Sequence, residues 1–227
     1  MILIQSLWQY SGSVNNEDSQ KINSDSSNGS SYYSAGETPI SGESGVETMG
    51  LAVFNGDKFV GELNGFESIC HLIVSNKLKN AQVRIPSTIE QLDYIDLYIE
   101  LDSNTQNSVY LVNSSPYINV KAKISAKIQS MNSDINLKDE NLISQIEQSA
   151  ENFLEKHITD YLYKTSKEFY ADIDSFGLYA LKYFTTNQEW QEYNWLNHYK
   201  DAFFDVNIDV DVRSSYLLVN TSDEKDV

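Results

Sequence analysis

A chain of 227 residues, 41% of them hydrophobic and 12% aromatic, is long enough to bury one sizeable core. Its 16 basic and 33 acidic residues give a net charge of −17, which argues against nucleic acid and anionic lipid as direct partners. The single cysteine, Cys70, cannot form an intramolecular disulfide. Its apolar neighbours favour a small buried residue over a reactive thiol.

The first ten residues, MILIQSLWQY, contain too few apolar side chains to span a bilayer and lack the basic segment and cleavage site of an export signal. Residues 11–45 are rich in Ser, Asn and Gly, so they cannot bury enough apolar surface to offset their ordering entropy. This composition predicts a flexible linker or long loop. Within it, GESG at 42–45 lacks the spacing of a serine-hydrolase nucleophile elbow.

From Val46 the pattern changes to two apolar segments around Asn55-Gly56, which supplies the positive φ angles of a type I′ turn and predicts a β-hairpin. FESICHLIVSNKL then places apolar residues at the 3.6-residue period of a helix packed on one face. His71 falls off that stripe, so we expect it to be solvated.

Four strands are predicted next, over 81–86, 93–102, 108–113 and the segment YINVKAKISAKIQ at 117–129. In the second of them, Ile95, Leu97 and Ile99 alternate with polar residues, as expected for a strand with one buried face. The fourth strand alternates in the same way and shows a row of lysines on its polar side.

At Asp139 the period lengthens again, and residues 139–170 predict one helix of about 48 Å that begins with acidic residues at the favourable end of its dipole. His157 lies on its apolar side. Because no second His or Cys follows at i+3 or i+4, we interpret it as a histidine at the edge of the core rather than a metal ligand.

The stretch FYADIDSFGLYALKYF at 169–184 predicts a turn between that helix and a shorter one. Asp172 or Asp174 is expected to cap the second helix, and Gly177 either to allow a close approach by a neighbour or to relax the junction. The segment that follows is the most aromatic of the chain. Without a phosphate-binding glycine loop, its rings are expected to fill the core or an interface rather than bind a cofactor. We predict a partner contact there if the tryptophans are exposed. The candidate residues are Trp190, Tyr193 and Trp195.

The last predicted strand, FFDVNIDVDVRSSYLLV, places an acid or amide at every second residue, like the start of a calcium loop. However, Val210 and Tyr216 stand where such a loop requires glycine and glutamate, so a strand with one solvated face is the better interpretation. Its acidic row has the same period as the lysine row at 121–127. We therefore predict that the two strands are neighbours, with Lys121, Lys123 and Lys127 facing Asp205, Asp209 and Asp211.

Five of these segments, in the same order, resemble the C-terminal domain of the Ger(x)C family, the lipoprotein C subunits of spore germinant receptors. They are the hairpin GLAVFNGDKFVGELNGFES, the strand YINVKAKISAKI, the long helix, its junction KEFYADIDSFGLYALKYF, and the closing WQEYNWLNHYKDAFFDVNIDVDVRSS. The resemblance covers about residues 46–215. It places Lys58, Gly61 and Leu63 on the family's hairpin, Asp172, Phe176 and Gly177 on its helix junction, and Trp195 on its late tryptophan.

The sequence departs from that family at its N-terminal end, where an export signal, a lipid-bearing cysteine and a separate domain are expected. The resemblance therefore implies two regions: residues 1–45, a flexible segment or remnant of a missing N-terminal region, and residues 46–227, a C-terminal α+β domain. The family glycine expected after the last strand is also not evident.

These features together predict an α+β fold, an antiparallel or mixed sheet with the long helix and the shorter aromatic-rich helices on one face. The resemblance implies a non-enzymatic germinant-receptor subunit without cofactor or metal. It would assemble with A-type and B-type membrane subunits at the outer face of the spore inner membrane. Only a lipid anchor, which is absent from this chain, would hold it at the membrane, so the chain as given is expected to be soluble. An adhesion or scaffold module outside the cytoplasm is the alternative. An enzyme comes third, because no nucleophile with a base, carboxylate pair or ligand spacing is evident.

Overall fold

The computed structural model of the chain describes residues 4–5, 8–10, 46–48, 50–87, 89, 92–131 and 139–213. The predicted flexible stretch 11–45, with GESG, and the residues after Arg213 lie outside these ranges, so the division into two regions stays a prediction. Within the described ranges, the elements in chain order are β1 (Ile4–Gln5), β2 (Trp8–Tyr10), β3 (Val46–Thr48), β4 (Leu51–Asn55), β5 (Lys58–Leu63), α1 (Gly65–Val74), β6 (Ala81–Pro86), β7 (Tyr94–Leu101), β8 (Gln106–Val112), β9 (Ser115–Met131), α2 (Glu140–Lys167), α3 (Phe176–Ala180), a 3-10 turn (Leu181–Tyr183), α4 (Asn187–Tyr193), α5 (Trp195–Tyr199) and β10 (Phe203–Val212).

The core is built on a five-stranded mixed sheet around the 17-residue strand β9. β10 runs parallel to β9 along one side, while β7 and β8 pair with the other side in antiparallel fashion, one after the other. β6 extends the sheet beyond β7. Because successive side chains point to opposite faces, each strand gives every second residue to the core. The innermost are Ile95, Leu97, Ile99, Val109, Ile118, Val120, Ile124, Ile208 and Val210. The predicted α+β architecture is confirmed.

The long helix is confirmed as one unbroken element, α2, of 28 residues, which corresponds to about 42 Å. It begins where the sequence indicated, since the side chain of Asp139 accepts the backbone N–H of Asn141 at 3.0 Å. Its buried side faces the sheet through residues such as Leu154, Ile158 and Leu162. α2 therefore covers one face of the sheet and lies longest against β10.

Three glutamates of α2 seal the free edge of β10. The backbone N–H groups of Ile208, Val210 and Val212 donate to the carboxylates of Glu155, Glu151 and Glu147, at 3.0, 3.2 and 3.0 Å. Four helical residues rise about 6 Å and two strand residues about 6.6 Å, so an i, i+4, i+8 row of glutamates matches every second amide of a strand. These three edge donors, which could otherwise pair with another strand, are thereby satisfied within the chain.

The predicted neighbourhood of the lysine and acidic rows is confirmed, but most of the predicted pairs are wrong. Asp209 lies opposite Lys123, with 3.1 Å between Oδ2 and Nζ. Lys121 faces Asn207, and Lys127 lies beyond the paired stretch. The other two acids, Asp205 and Asp211, lie opposite Asn119 and Ser125. The periods of the two strands were readable from the sequence, whereas their relative offset is set by the packing of the opposite, apolar face.

The hairpin is confirmed as β4 and β5, which pair in antiparallel fashion around Asn55 and Lys58. The predicted type I′ turn is wrong, because the turn residues are Gly56 and Asp57, and of Asn55, Gly56 and Asp57 only Gly56, with a φ of 69°, is left-handed. It belongs to a small separate sheet with β1, and β2 pairs with β3. α1 follows directly, started by a reciprocal capping box in which Asn64 and Glu67 accept each other's backbone N–H groups at 2.8 Å. Cys70 is fully buried, as expected, and burial raises the pKa of its thiol far above the usual range.

The aromatic segment after residue 175 is more broken than a single shorter helix. It forms α3, the 3-10 turn, α4 and α5. A second capping box at Thr186 and Glu189 starts α4, and Asn194, with a φ of 50°, divides α4 from α5. These polar signals start and separate the short helices.

Candidate partner-contact site at the helical corner

The chain turns sharply between α2 and α3, and two residues in left-handed conformation produce the turn. Tyr170 has a φ of 50° and Ser175 a φ of 62°. Neither is glycine, so each conformation carries a small backbone cost that surrounding contacts must offset. Those contacts are made by the two aspartates between them.

Asp172 clamps the start of α3 to the aromatic segment. Its carboxylate accepts the backbone N–H groups of Phe176 and Gly177 at 2.9 and 2.7 Å, and the indole Nε1–H of Trp195 at 2.8 Å. Burial raises the pKa of Asp172 to about 6, although these donors act in the opposite direction. Asp172 thus accepts the first amides of α3 as predicted, although the N-cap position itself is taken by Ser175, whose side chain makes no cap hydrogen bond.

Gly177 lies where a side chain would meet the indole of Trp195. A Cβ built there would come within 3.1 Å of ring atoms of Trp195, closer than most such contacts in proteins. The predicted close approach at Gly177 is thus confirmed, and its neighbour is Trp195. The glycine lets the indole reach the Asp172 carboxylate.

Asp174 does not cap α3 but joins three elements through a buried group of polar side chains. Its carboxylate lies 2.9 Å from His71 Nδ1 and accepts the hydroxyl of Tyr161 at 2.7 Å. The prediction that His71 is solvated is wrong, since it is 3% exposed. The corner, whose Asp174 lies 103 residues after His71 in the chain, covers the side of α1 that carries His71. Burial, followed by the charge of Asp174, raises the pKa of Tyr161 well above its usual range.

This His–Asp–Tyr group resembles part of a catalytic triad in composition, but its surroundings suit a structural role. The side chains of His71 and Asp174 are 4% and 0% exposed, so the group lies beneath the surface of the protein. What the group does is link α1, α2 and the corner. A buried polar network of this kind fixes the relative position of the elements that contribute to it.

The aromatic rings of α4 and α5 form one stacked cluster beside the corner. Trp190 lies 5.9 Å from Trp195, and Tyr193 lies 4.0 Å from His198, between ring centroids. Trp195 is 7% exposed and belongs to the core. Trp190 and Tyr193 are half-buried, and the hydroxyl of Tyr193 donates to the carbonyl of Ser114 at 2.8 Å. Of the three candidate contact residues, only these two present surface to a partner.

Of the hairpin residues singled out by the resemblance, Gly61 lies against Phe169, just after the end of α2. Gly61 lies at a bulge of β5, where a Cβ would come within 2.3 Å of the ring of Phe169. Leu63 is buried, and Lys58 is exposed beside the turn. Gly61 is therefore explained by the approach of Phe169, while nothing in the structure explains a need for lysine at position 58.

Within the described part of the chain, no group of three or more His, Cys, Asp or Glu side chains is placed to hold a metal ion. His157 packs against Phe66 and Phe153, at 4.9 and 4.3 Å between ring centroids, as expected for a residue at the edge of the core. In the same described ranges, none of the helices has the length and apolar character needed to cross a membrane.

Comparison with known proteins identifies the fold and the family. The model of the family described as spore germination B3/GerAC like, C-terminal, matches residues 49–216. The chain belongs to this family. The match begins at the hairpin and runs past β10, so it includes the helical corner, the aromatic cluster and the whole of the five-stranded sheet.

A search of solved structures finds the same architecture in a crystal structure of the GerBC protein. The two chains are 14% identical, superpose with a TM-score of 0.61, and share 74% of this chain and 52% of that chain. This chain thus spans about half of the length of GerBC. No curated protein matched the sequence.

The sequence analysis missed two features, the partner of His71 and the glutamates along β10. The partner of His71 lies 103 residues away in sequence, and no local periodicity indicates it. The glutamates that seal β10 are different, because their four-residue spacing on a predicted helix matches the two-residue spacing of the last strand. That match is a usable signal, which becomes visible once the two elements are known to be adjacent.

Proposed function

We propose that the protein is a non-enzymatic subunit of a spore germinant receptor and acts in nutrient-triggered germination by assembling with membrane-embedded receptor subunits. The observation that carries this proposal is the family match over residues 49–216, supported by the GerBC-like fold. In the full-length protein a lipid would hold the domain at the outer face of the spore inner membrane. A and B type subunits would be its partners.

The arrangement of polar side chains supports a scaffold rather than a catalyst. The side chains best suited to acid–base chemistry point into the core and hold elements of the fold together. They belong to His71, Asp174 and Tyr161. The carboxylate of Asp172 accepts hydrogen bonds from the backbone of α3 and from the indole of Trp195. A rigid corner of this kind suits a protein that presents a fixed surface to others.

Trp190 and Tyr193 are the proposed contact residues for a partner subunit. Both are held by the rings around them, so little side-chain freedom would be lost on binding, and half-buried aromatic residues are enriched at protein interfaces. Trp195 supports them from beneath, at 5.9 Å from Trp190 and 6.4 Å from Tyr193 between ring centroids.

Deletion of the gene tests the function. Spores that lack it are expected to stop releasing dipicolinate in response to at least one nutrient, and the wild-type gene should restore release. Normal release with every nutrient tested would contradict the proposal and favour an adhesion or scaffold module without a role in germination.

Complementation of the deletion strain tests the contact residues. A Trp190→Ala/Tyr193→Ala variant is expected to fail to restore germination, while Glu192→Ala, an exposed change in the same helix, restores it. Unfolding of the purified variants should be measured alongside, because the two rings also pack on Trp195. A Trp190→Phe/Tyr193→Phe variant keeps the packing. If spores with this variant also fail to germinate while its stability is unchanged, the defect lies in the contact with the partner. Full germination of spores with the alanine variant would exclude these residues from the interface.

A further inference from the structure

A recess of about 330 Å³ lies on the five-stranded sheet, near the point where β9 and β10 begin. Seven residues from β8, β9 and β10 line it. Strand pairing places Tyr110 opposite Tyr117, and Tyr117 opposite Phe203, so that three aromatic residues occupy neighbouring positions across the strands. The volume lies at the lower end of the range found for small-molecule sites.

The aromatic rings give the recess an apolar wall that solvent reaches. Tyr110, Tyr117 and Phe203 are between 42% and 53% exposed, and the rings of Tyr117 and Phe203 stack with 4.9 Å between their centroids. Aromatic ring faces attract cations. The chain already shows this attraction here, because Lys182 Nζ lies 5.5 Å from the ring centroid of Tyr110. The wall therefore suits an apolar body that carries a positive charge.

One carboxylate, that of Asp205, lies in the recess two residues beyond Phe203 on β10. Its Oδ2 accepts a hydrogen bond from the side-chain amide of Asn119. No basic residue lines the recess, and Asp205 takes part in none of the ion pairs formed within the described ranges. Asp209, on the same strand, is by contrast paired with Lys123. Asp205 therefore offers a negative charge that no basic side chain compensates.

This carboxylate selects the charge of an occupant. A molecule that packs on the rings also displaces water from Asp205, and that loss costs free energy unless the molecule donates a hydrogen bond in return. A purely apolar molecule cannot donate one, and an anion would be repelled by Asp205 and by the net charge of −17. A primary ammonium can form a charge-assisted hydrogen bond with the carboxylate while its apolar body covers the rings.

The dimensions of the recess select a small molecule rather than a protein. Only seven residues line it, whereas a stable protein–protein interface takes about 20 to 30 residues on each side. The proposed partner contact at Trp190 and Tyr193 uses other residues, since neither of them lines the recess.

We propose that this recess binds a small organic cation, a primary ammonium attached to a short aromatic or aliphatic body. The ammonium donates to the carboxylate of Asp205, and the body packs against the rings of Tyr110, Tyr117 and Phe203. This inference rests on the residues of the recess and not on the role in germination.

A titration of the whole ¹⁵N-labelled chain by NMR, with phenethylammonium as the probe, tests the proposal. Saturable shifts are expected in the amides of residues 117–119 and 203–205. Three further probes at the same ionic strength separate the contributions. They are 2-phenylethanol, which lacks the charge, 3-phenylpropanoate, which reverses it, and ammonium chloride, which lacks the apolar body. Each should bind at least tenfold more weakly than phenethylammonium, because it loses or reverses one of the two contacts.

Two pairs of variants locate the binding. Asp205→Asn should weaken phenethylammonium binding roughly tenfold, because the charge is lost while an acceptor for the amide of Asn119 is kept. Asp209→Asn changes the net charge by the same amount outside the recess and should bind like wild type. Phe203→Leu should weaken binding roughly threefold through loss of the ring, whereas Phe59→Leu, at an exposed ring of the hairpin, should not. Asp205 and Asp209 are exposed, so the unfolding midpoint should stay the same in both asparagine variants.

Several results would overturn the proposal. They are the absence of saturable shifts at the recess, equal binding of 2-phenylethanol, and an equal loss in Asp205→Asn and Asp209→Asn, which would reduce the effect to the overall charge of the chain. Binding of a blocked Gly-Lys-Gly peptide without binding of phenethylammonium would identify a basic segment of a partner protein as the occupant instead. Gene deletion tests the role in germination separately, so either proposal can fail without the other.

Discussion

The protein uses aspartate in two opposite settings. At the helical corner, Asp172 and Asp174 are 6% and 8% exposed and each has several hydrogen-bond partners, whereas Asp205, Asp209 and Asp211 stand on the open face of the sheet. The side chain is the same in both places. What differs is the number of partners and the distance from water, and these decide how much each carboxylate contributes to the fold.

The hydrogen-bonding groups at the corner have no alternative partner, whereas water can hydrogen-bond equally well to the groups on the sheet face. Removing Asp172 would strand two backbone N–H groups and an indole N–H in the core. Removing Asp209 would leave Lys123, whose side chain is 64% exposed, in contact with solvent. The comparison teaches that a row of charges conspicuous in the sequence can matter less than one unremarkable acid in a turn.

The largest effect is expected from Asp172→Ala. Three donors lose their acceptor in a buried place, so the free energy of unfolding should fall by about 3 kcal/mol or more. Asp205→Ala, on the exposed face, should change it by less than about 0.5 kcal/mol. Chemical denaturation at pH 7 measures both. Equal effects of the two substitutions would mean that the corner is not the buried clamp described above.

The pH dependence of Asp172 sharpens the same comparison. Its folded pKa of about 6 lies above the ordinary value of 3.8, so its stabilising contribution is full below pH 3.8 and is lost as the pH rises through 6. The difference is worth about 2 kcal/mol between pH 7 and pH 4. Relative to Asp172→Asn, which cannot titrate, wild type should therefore gain stability as the pH falls through this window. Parallel stability curves for the two proteins would show that the pKa of Asp172 is not raised.

Sequence alone gave much of the fold, because hydrophobic periods report local structure. The alternation of Ile95, Leu97 and Ile99 predicted β7, and the spacing from Leu142 onward predicted α2. The failures concern contacts between segments far apart in sequence. His71 lies on the polar side of its own helix, and only the corner, supplied by residues near 174, makes that side a buried one.

The candidate site was only partly predictable for the same reason. Asp172 and Gly177 were identified because caps and close approaches have local signals. The burial of Trp195 and the partial exposure of Trp190 and Tyr193 depend on how α4 and α5 fold back over β9, which no local pattern specifies. An aromatic-rich segment therefore shows that a packed cluster exists without showing which of its rings reach the surface.

A third prediction concerns the sealed edge of β10, whose glutamates are less buried than the aspartates of the corner and more buried than those of the sheet face. Glu151 is half-buried, and burial raises the pKa of its carboxyl while its bond to Val210 acts in the opposite direction. Glu151→Ala should lower the free energy of unfolding by about 1 kcal/mol, since water can partly replace the lost acceptor. Replacing all three glutamates should also promote aggregation through the uncovered edge.

Light scattering during mild heating measures that aggregation. Asp160→Ala, an exposed change in the same helix, is the control, and Glu151→Gln keeps an acceptor for the Val210 amide and should stay close to wild type. If the triple variant scatters no more light than the control, the glutamates do not protect the edge.

The smallest effect is expected for the pair of Lys123 and Asp209. Both side chains are about 60% exposed, so a double-mutant cycle with alanine should give a coupling of about 0.2 to 1 kcal/mol that high salt removes. The matched cycle of Lys121 with Asn207, its neighbour in the sheet, should give no salt-dependent coupling, because Asn207 is uncharged. A coupling above this range, or one that persists in high salt, would mean that the exposed carboxylates contribute nearly as much to stability as those of the corner. Equal couplings in the two cycles would mean that the contact of Asp209 with Lys123 adds no ionic stabilisation to the pairing of β10 with β9.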